Sequence, residues 1–302
     1  MPIPLVIDSD TFNEIDDQFA IAYALCRPQA LQVEALLAAP FLNEKAASPE
    51  DGMLKSLAEM RRVRSYCHRH VPVFAGSPVY LPEDGTPVES PACDALIRLA
   101  RAMPEGKRLY VAAIAVLTNI ASALLKAPDI ANKIAIYWLG ANAKDFADQN
   151  EFNLRQDRRA AQVVFDSDAQ ITWFPCRGVC SHLSLSLWEA ARWLRGRNAL
   201  GDALFDLLQQ SGAVGMGQSR ILWDVAPIAA LCLPDCIQTL PVPSPIVTEG
   251  PLRLPPERPT VNYVQMISRD QVFADFFAAI DDFSPEDQIF ADCMAELTKA
   301  KP

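Results

Sequence analysis

The chain has no surplus of basic residues, no leader-like opening and no apolar run long enough to span a bilayer, and each absence removes a class of function. With 27 Lys and Arg against 37 Asp and Glu, a net charge of −10 and a pI near 4.8, it lacks the basic face that sequence-independent binding to phosphate backbones needs. No nucleic-acid partner is expected; small neutral or cation-chelating ligands fit better. Met1-Pro2-Ile3-Pro4 is not followed by a basic segment, a long apolar stretch and a small-residue cleavage site. A soluble, cytoplasmic protein without a membrane partner is therefore expected. Internal repeats and low-complexity tails are missing as well. Histidine is scarce, with three residues.

What is present is a chain of 302 residues, half of them apolar, enough to bury a large core. We expect a single domain over residues 1–302. The eight cysteines (26, 67, 93, 176, 180, 232, 236 and 293) are scattered through a chain too large to need staples, and read as reduced thiols. Cys176 and Cys180 with His182, and Cys232 with Cys236, are spaced either for a soft metal or simply for neighbouring helix turns.

Strand and helix signals alternate. Leu5-Val6-Ile7 reads as a buried parallel strand, residues 16–26 as an amphipathic helix and 33–39 as a second strand, followed by a long irregular loop over 40–52. A helix over 53–70 carries the basic cluster Arg61, Arg62, Arg64, His68, Arg69 and His70, most simply a solvated face. A short strand over 71–74 and a Pro/Gly-rich loop over 75–91 follow. Further strands are expected at 109–114, 134–139 and 169–174, helices at 92–103, 117–125 (with Thr118 or Asn119 as cap), 157–166 and 225–231, and a helical region over 185–212. A Pro-rich patch over 241–259 precedes an edge hairpin and a closing helix over 269–281. This alternation implies an α/β fold: a doubly wound, mostly parallel sheet with helices on both faces.

The chemistry concentrates just after the first strand. Asp8, Asp10, Glu14, Asp16 and Asp17 place five carboxylates in ten residues, at the strand end where doubly wound sheets put their ligands. Unneutralised, they would repel one another strongly in a crevice. A hard divalent cation with oxygen ligands removes the repulsion and supplies chemistry. Three later segments bring polar groups to strand ends or helix starts: Ile114 to Asn119, Glu151-Phe152-Asn153, and Trp223-Asp224. Asp224 alone would be read as a helix cap.

Together these segments resemble the nucleoside hydrolase family, the calcium-dependent, inosine/uridine-preferring N-ribohydrolases. The family opening Asp-x-Asp-Pro-Gly-x-Asp-Asp corresponds to Asp8-Ser-Asp10-Thr-Phe-Asn-Glu-Ile-Asp16-Asp17, two residues longer between the second and third aspartates. Leu117-Thr-Asn-Ile-Ala121, Glu151-Phe-Asn153 and Asp224 follow in the family's order, so the resemblance spans about residues 3–285. It implies a Rossmann-related fold, hydrolysis of a ribonucleoside to base and ribose, Ca2+ as cofactor, a small-molecule nucleoside as partner, and a homodimer or homotetramer. It makes Asp10, Asp17, Asp224 and the carbonyl of Ile114 the calcium ligands. Asp10 then also takes the proton of the attacking water. Asp16 and Asn153 hold the 2′- and 3′-hydroxyls and Glu151 the 5′-hydroxyl, with Asn142 and Asn43 as further substrate contacts.

Two departures bear on substrate. Better-known members carry a His before the last aspartate to protonate the leaving base; Trp223 stands there, as in purine-preferring members, where stacking raises the basicity of the base. The longer first loop either bulges from the metal or reshapes the pocket floor. Bland readings stand beside these. Asp8 can serve the loop backbone alone, Glu14 can be a solvated first-turn residue, Asn43 can be a turn residue, and Phe12, Phe41 and Phe152 either line a base pocket or pack. Two other functions fit part of the pattern: a ribose- or nucleoside-binding protein that keeps the calcium pocket without turnover, and a haloacid-dehalogenase-type phosphatase using Asp8-Ser-Asp10-Thr, although the second acidic pair that fold needs is offered only by Asp281-Asp282, which follows a helix and not a strand, and no convincing downstream Lys is present.

Overall fold

Strand β1 (Ile3–Ser9) sends Leu5 and Ile7 into one apolar core and Val6 into another, on opposite faces of the sheet. A strand covered on both faces needs apolar residues at every position, which is why Leu5-Val6-Ile7 shows no polar alternation. The computed structural model describes residues 1–212 and 215–283; Cys293 lies outside the described residues.

After β1 come α1 (Asp16–Leu25), β2 (Leu31–Ala38), α2 (Pro49–Tyr66), β3 (Val73–Ala75), α3 (Pro91–Arg101), β4 (Leu109–Ala113), α4 (Thr118–Lys126), β5 (Ile134–Leu139), α5 (Phe152–Gln156), α6 (Arg158–Asp166) and β6 (Gln170–Phe174). The remainder adds β7 (Ser184–Ser186), α7 (Leu187–Trp193), α8 (Ala199–Gln210), β8 (Ser219–Ile221), α9 (Val225–Cys232), β9 (Ile237–Pro243), β10 (Thr260–Ile267) and α10 (Arg269–Asp281). Eight strands form one sheet in the order β3-β2-β1-β4-β5-β6-β10-β9, and β9 alone runs antiparallel to its neighbour. Strands β7 and β8 pair as a separate antiparallel ribbon. The strand order reverses between β1 and β4, and the crevice beyond their carboxyl ends is where such sheets bind ligands.

Several local expectations change. Helix α1 is buried at every residue, because it packs against the sheet and against α2, α9 and α10; it is a core helix, not an amphipathic one. Helix α2 starts at Pro49 instead of 53. Ser48 caps it by accepting from the Asp51 N–H at 3.1 Å, Pro49 takes the first turn where its missing N–H costs nothing, and the preceding loop shortens. Its basic face is solvated or satisfied locally: Arg62 pairs with Glu59, and Arg64 donates to the Val71 carbonyl. The region 185–212 is not one helix but β7, α7 and α8, with Ser186 and Glu189 forming a capping box that starts α7. The Pro-rich patch connects β9 to β10 within the edge hairpin. Pro241 and Pro243 are tolerated in β9 because an edge strand can lose ladder donors.

Asp157 is the brace between layers. Buried at the start of α6, it accepts from Ala160 N at 2.9 Å, Leu81 N at 2.8 Å and Thr118 Oγ1 at 2.6 Å. Asp157→Ala leaves these donors unpaired and is expected to cost about 2–4 kcal/mol, read as a lower urea midpoint at unchanged m-value. A loss under about 1 kcal/mol would show that water replaces the brace.

Candidate active site

The acidic loop leaves β1 and folds back at once. Asn13 N donates to the Asp10 carbonyl at 2.7 Å to close a turn, and Ser9 Oγ donates to Asp17 Oδ1 at 2.5 Å. Asp16 and Asp17 open α1, where the exposed N–H groups of a helix start favour negative charge. Asp224 arrives from the start of α9. It makes no side-chain cap there, so the capping role that Asp224 alone suggests is not what the structure shows; its backbone N–H donates to Asp16 Oδ2 at 3.3 Å, across 208 residues of chain. One carboxylate oxygen each from Asp16, Asp17 and Asp224 lies within 4.8 Å of the others, and all three residues are buried. Among the described residues this is the one such group of His, Cys, Asp or Glu. Cys176, Cys180 and His182 do not form a second; the His182 ring sits 2.6 Å from the Ile267 carbonyl instead.

Burial pushes Asp16 up to about 7, with Glu14 adding to the shift and Arg220 opposing it. Burial also raises Asp10, Asp17 and Asp224 well above the carboxylate range, and their mutual repulsion raises them further. Asp10 is outside the tightest triad but within its field, since Asp17 and Asp16 both act on it. Asp10 Oδ2 and Asp16 Oδ1 are buried without a hydrogen-bond partner. Buried carboxylates left without partners are costly, and a hard divalent cation fits this all-oxygen donor set. The one lysine that lines the cavity, Lys45, does not neutralise the cluster: its Nζ donates to the Asn13 carbonyl.

Asp8 stands behind the loop. Burial raises it to about 7 against the opposing hydrogen bond from Asn119 Nδ2 at 2.8 Å. Asn119 Oδ1 accepts from Ser77 N and Oγ, and Thr118 Oγ1 donates to Asp157. Neither Thr118 nor Asn119 caps α4, because both side chains brace neighbouring strands and loops; Leu117 occupies the cap position.

The cavity above the cluster measures about 540 Å³. Asp10, Asp16, Asp17, Ile114 and Asp224 line it, together with Asn43, Asn142, Glu151, Phe152, Asn153 and Trp223. The residues that the resemblance assigns to cation and substrate are thus brought to one space, whereas Asp8, Phe12 and Phe41 do not line it. Glu151 caps the short helix α5, accepting from Asn153 N, Leu154 N and Ala141 N at 2.8–2.9 Å; burial raises its carboxyl and these bonds oppose the shift. Ala141 is held at φ +59°, a left-handed turn that delivers Asn142, whose Nδ2 donates to the Asp148 carbonyl. Asn153 Nδ2 donates to the Leu139 carbonyl at 3.1 Å. Trp223 is half-buried against the core that holds α9. Phe41 is fully buried and Phe12 exposed, so of the three phenylalanines Phe152 alone faces the cavity.

Lys45, Arg155 and Arg177, which no motif in the sequence flags, also line the cavity, as do Asn13 of the acidic loop and Cys176, read in the sequence only as a soft-metal candidate or a plain thiol. Arg155 lies over the Phe152 ring at 5.2 Å, one short helix from Asn153. Cys176 and Arg177 follow the carboxyl end of β6, a position that the strand-end rule marks. Asp281 and Asp282, the acidic pair of the phosphatase pattern, end α10 and are not among the cavity residues.

Comparison with known proteins follows the same outline. The family model described as inosine-uridine preferring nucleoside hydrolase matches residues 5–274. No curated protein matches the chain. Among solved structures, a purine-preferring ribonucleoside hydrolase from Gardnerella vaginalis superposes with a TM-score of 0.72 at 21% identity, covering 93% of this chain and 98% of that one. An inosine-uridine preferring nucleoside hydrolase from Bacillus anthracis gives 0.70 at 17%, covering 93% and 99%, and a plant nucleoside hydrolase 0.72 at 19%, covering 93% and 100%. At these identities the structural likeness speaks for the fold.

Proposed function

The chain belongs to the inosine-uridine preferring nucleoside hydrolase family, enzymes that hydrolyse the N-glycosidic bond of ribonucleosides, and we propose that Asp10 is its general base, calcium its cation and a purine nucleoside its preferred substrate. The observation that carries this reading is the meeting of Asp16 and Asp17 with Asp224, 208 residues beyond Asp16, in a cavity that also holds Asp10, Glu151 and Asn153. Asp17 and Asp224, with Asp10 and the Ile114 carbonyl, would hold the cation, and Asp16 stands close enough to share it. When bound, such an ion offsets the mutual repulsion of the carboxylates and makes a nearby water more acidic.

The protein's own groups do the rest. The unpartnered Asp10 Oδ2 accepts the proton of a water aimed at the anomeric carbon. Positive charge grows on the ribose as the bond to the base stretches, the buried carboxylates stabilise it, and the departing base, stacked on Trp223, takes its proton from solvent. Asp16 and Asn153 orient the 2′- and 3′-hydroxyls. Glu151, fixed by three backbone N–H groups, orients the 5′-hydroxyl, with Asn142 and Asn43 beside it. Phe152 and Trp223 offer apolar faces to the base, and Trp223 stacks on a purine more extensively than on a pyrimidine. Among the described residues no helix is long and apolar enough to cross a membrane; a cytoplasmic homodimer or homotetramer is the setting this reading takes over from the family.

The test is release of reducing sugar from inosine, guanosine, adenosine, uridine and cytidine, with and without a chelator. Purines are expected to exceed pyrimidines in kcat/KM by about tenfold, a stacking difference of about 1.4 kcal/mol. Trp223→Ala narrows that ratio. Uridine turned over faster than every purine would overturn the base assignment, and no ribose from any nucleoside would overturn the reaction.

A further inference from the structure

Asn13 and Glu14 hold neither the cation nor the substrate in the reading above, yet both are anchored across the cavity. The first loop is two residues longer here than in the family pattern, and the added length reaches both walls. On one side the buried Asn13 accepts from Asn43 Nδ2 at 2.7 Å and from Lys45 Nζ at 2.5 Å. On the other, Glu14 Oε2 pairs with Arg220 Nη2 at 2.7 Å. Arg220 belongs to β8, which pairs with β7 in a three-pair ladder outside the main sheet; β7 is fixed by buried Leu185 and by Arg269, which donates to the Ser184 carbonyl, whereas β8 itself is only partly buried. Arg220 Nε is buried with no hydrogen-bond partner, so that guanidinium is anchored through its ion pair with Glu14. Three residues beyond Arg220 comes Trp223, then Asp224.

We propose that the Glu14–Arg220 pair is a latch: a positioning contact by which the lengthened first loop holds the β7–β8 ribbon, and with it Trp223, against the cavity where the base binds. This rests on the nucleoside hydrolase reading given above. An ion pair with half-exposed partners contributes little to global stability. Its effect is local, because β8 is only partly buried and leads directly into Trp223, a wall of the site. Releasing it leaves Asp10 and the carboxylate triad in place and loosens Trp223, so the loss falls on substrate binding more than on the chemical step.

The test uses Glu14→Ala, Arg220→Met and the charge-reversed double variant Glu14→Arg/Arg220→Glu in the full chain. Each single variant is expected to raise KM for a purine nucleoside about tenfold with kcat changed less than threefold, and the reversed pair to recover most of that loss. Backbone hydrogen exchange across residues 219–223 should speed at least tenfold in the single variants and return toward wild type in the reversed pair, while α1 and the Asp224 N–H, which donates to Asp16, stay protected. Single variants with wild-type KM and wild-type exchange overturn the latch, as does a reversed pair no better than the singles. If the wild type releases no ribose from any nucleoside, the reaction assignment fails instead, and exchange alone then decides the latch.

Discussion

Asp10→Asn is expected to release ribose from a purine nucleoside about a thousandfold more slowly than wild type, within the range for loss of a positioned general base. The substitution keeps the side-chain shape and removes its proton-accepting capacity. Asp10 Oδ2 has no hydrogen-bond partner, so no protein hydrogen bond to that oxygen is broken, and the new amide can donate toward Asp16 or Asp17. Because burial and the neighbouring carboxylates both oppose ionisation of Asp10, the variant in chelator at neutral pH should melt no lower than wild type. Slow turnover in a stable protein that still shows a calcium-induced rise in Tm is the signature of a missing base and not of a missing cation ligand. A rate within threefold of wild type would assign the proton transfer elsewhere.

Without a divalent cation the protein is expected to lose stability as pH rises from 5 to 7.5, the reverse of ordinary acid denaturation. Burial raises Asp8 and Asp16 from 3.8 to about 7 in the folded chain, so the folded state retains protons that the unfolded chain releases. Their contribution is complete below the unfolded value near 4 and is lost as pH rises through the folded value near 7. Asp10, Asp17 and Asp224 shift in the same direction. The combined loss is expected to be about 2–4 kcal/mol, allowing for relaxation and water entry, or a Tm roughly 5–10 °C lower at pH 7.5 than at pH 5 in a chelator. Millimolar calcium should abolish the difference, because a cation that binds the folded state alone stabilises it by mass action. Asp17→Asn should remove most of the calcium-induced rise, whereas Asp10→Asn, outside the tight triad, should keep much of it. A chelated wild type with equal or higher Tm at pH 7.5 would show that the cluster is already neutralised by protein groups.

Much of the fold and of the site is legible in the residues themselves. The inner strands β1, β4, β5 and β6 show as short apolar runs because both faces are covered, and the acidic loop lies at the end of the first of them. Boundaries are less legible. Ser48-Pro49-Glu50-Asp51 is a helix start that resembles a polar loop, and α5 is too short to show a period. Thr118 and Asn119 read as caps because nothing local reveals that Asp157 and Asp8 wait for them across the fold.

The composition, the order of strands and helices, and the residue types gathered at the site were determined by the sequence, because burial on two faces and like charges in a crevice are constraints that local residues must satisfy. Which carboxylates share one point in space was decided only by the tertiary structure. Asp16, Asp17 and Asp224 meet because α1 and α9 pack side by side against the sheet, and no spacing along the chain encodes that distance. The same packing brings Glu14 to Arg220, two ordinary surface charges until the lengthened loop and the ribbon are folded against each other.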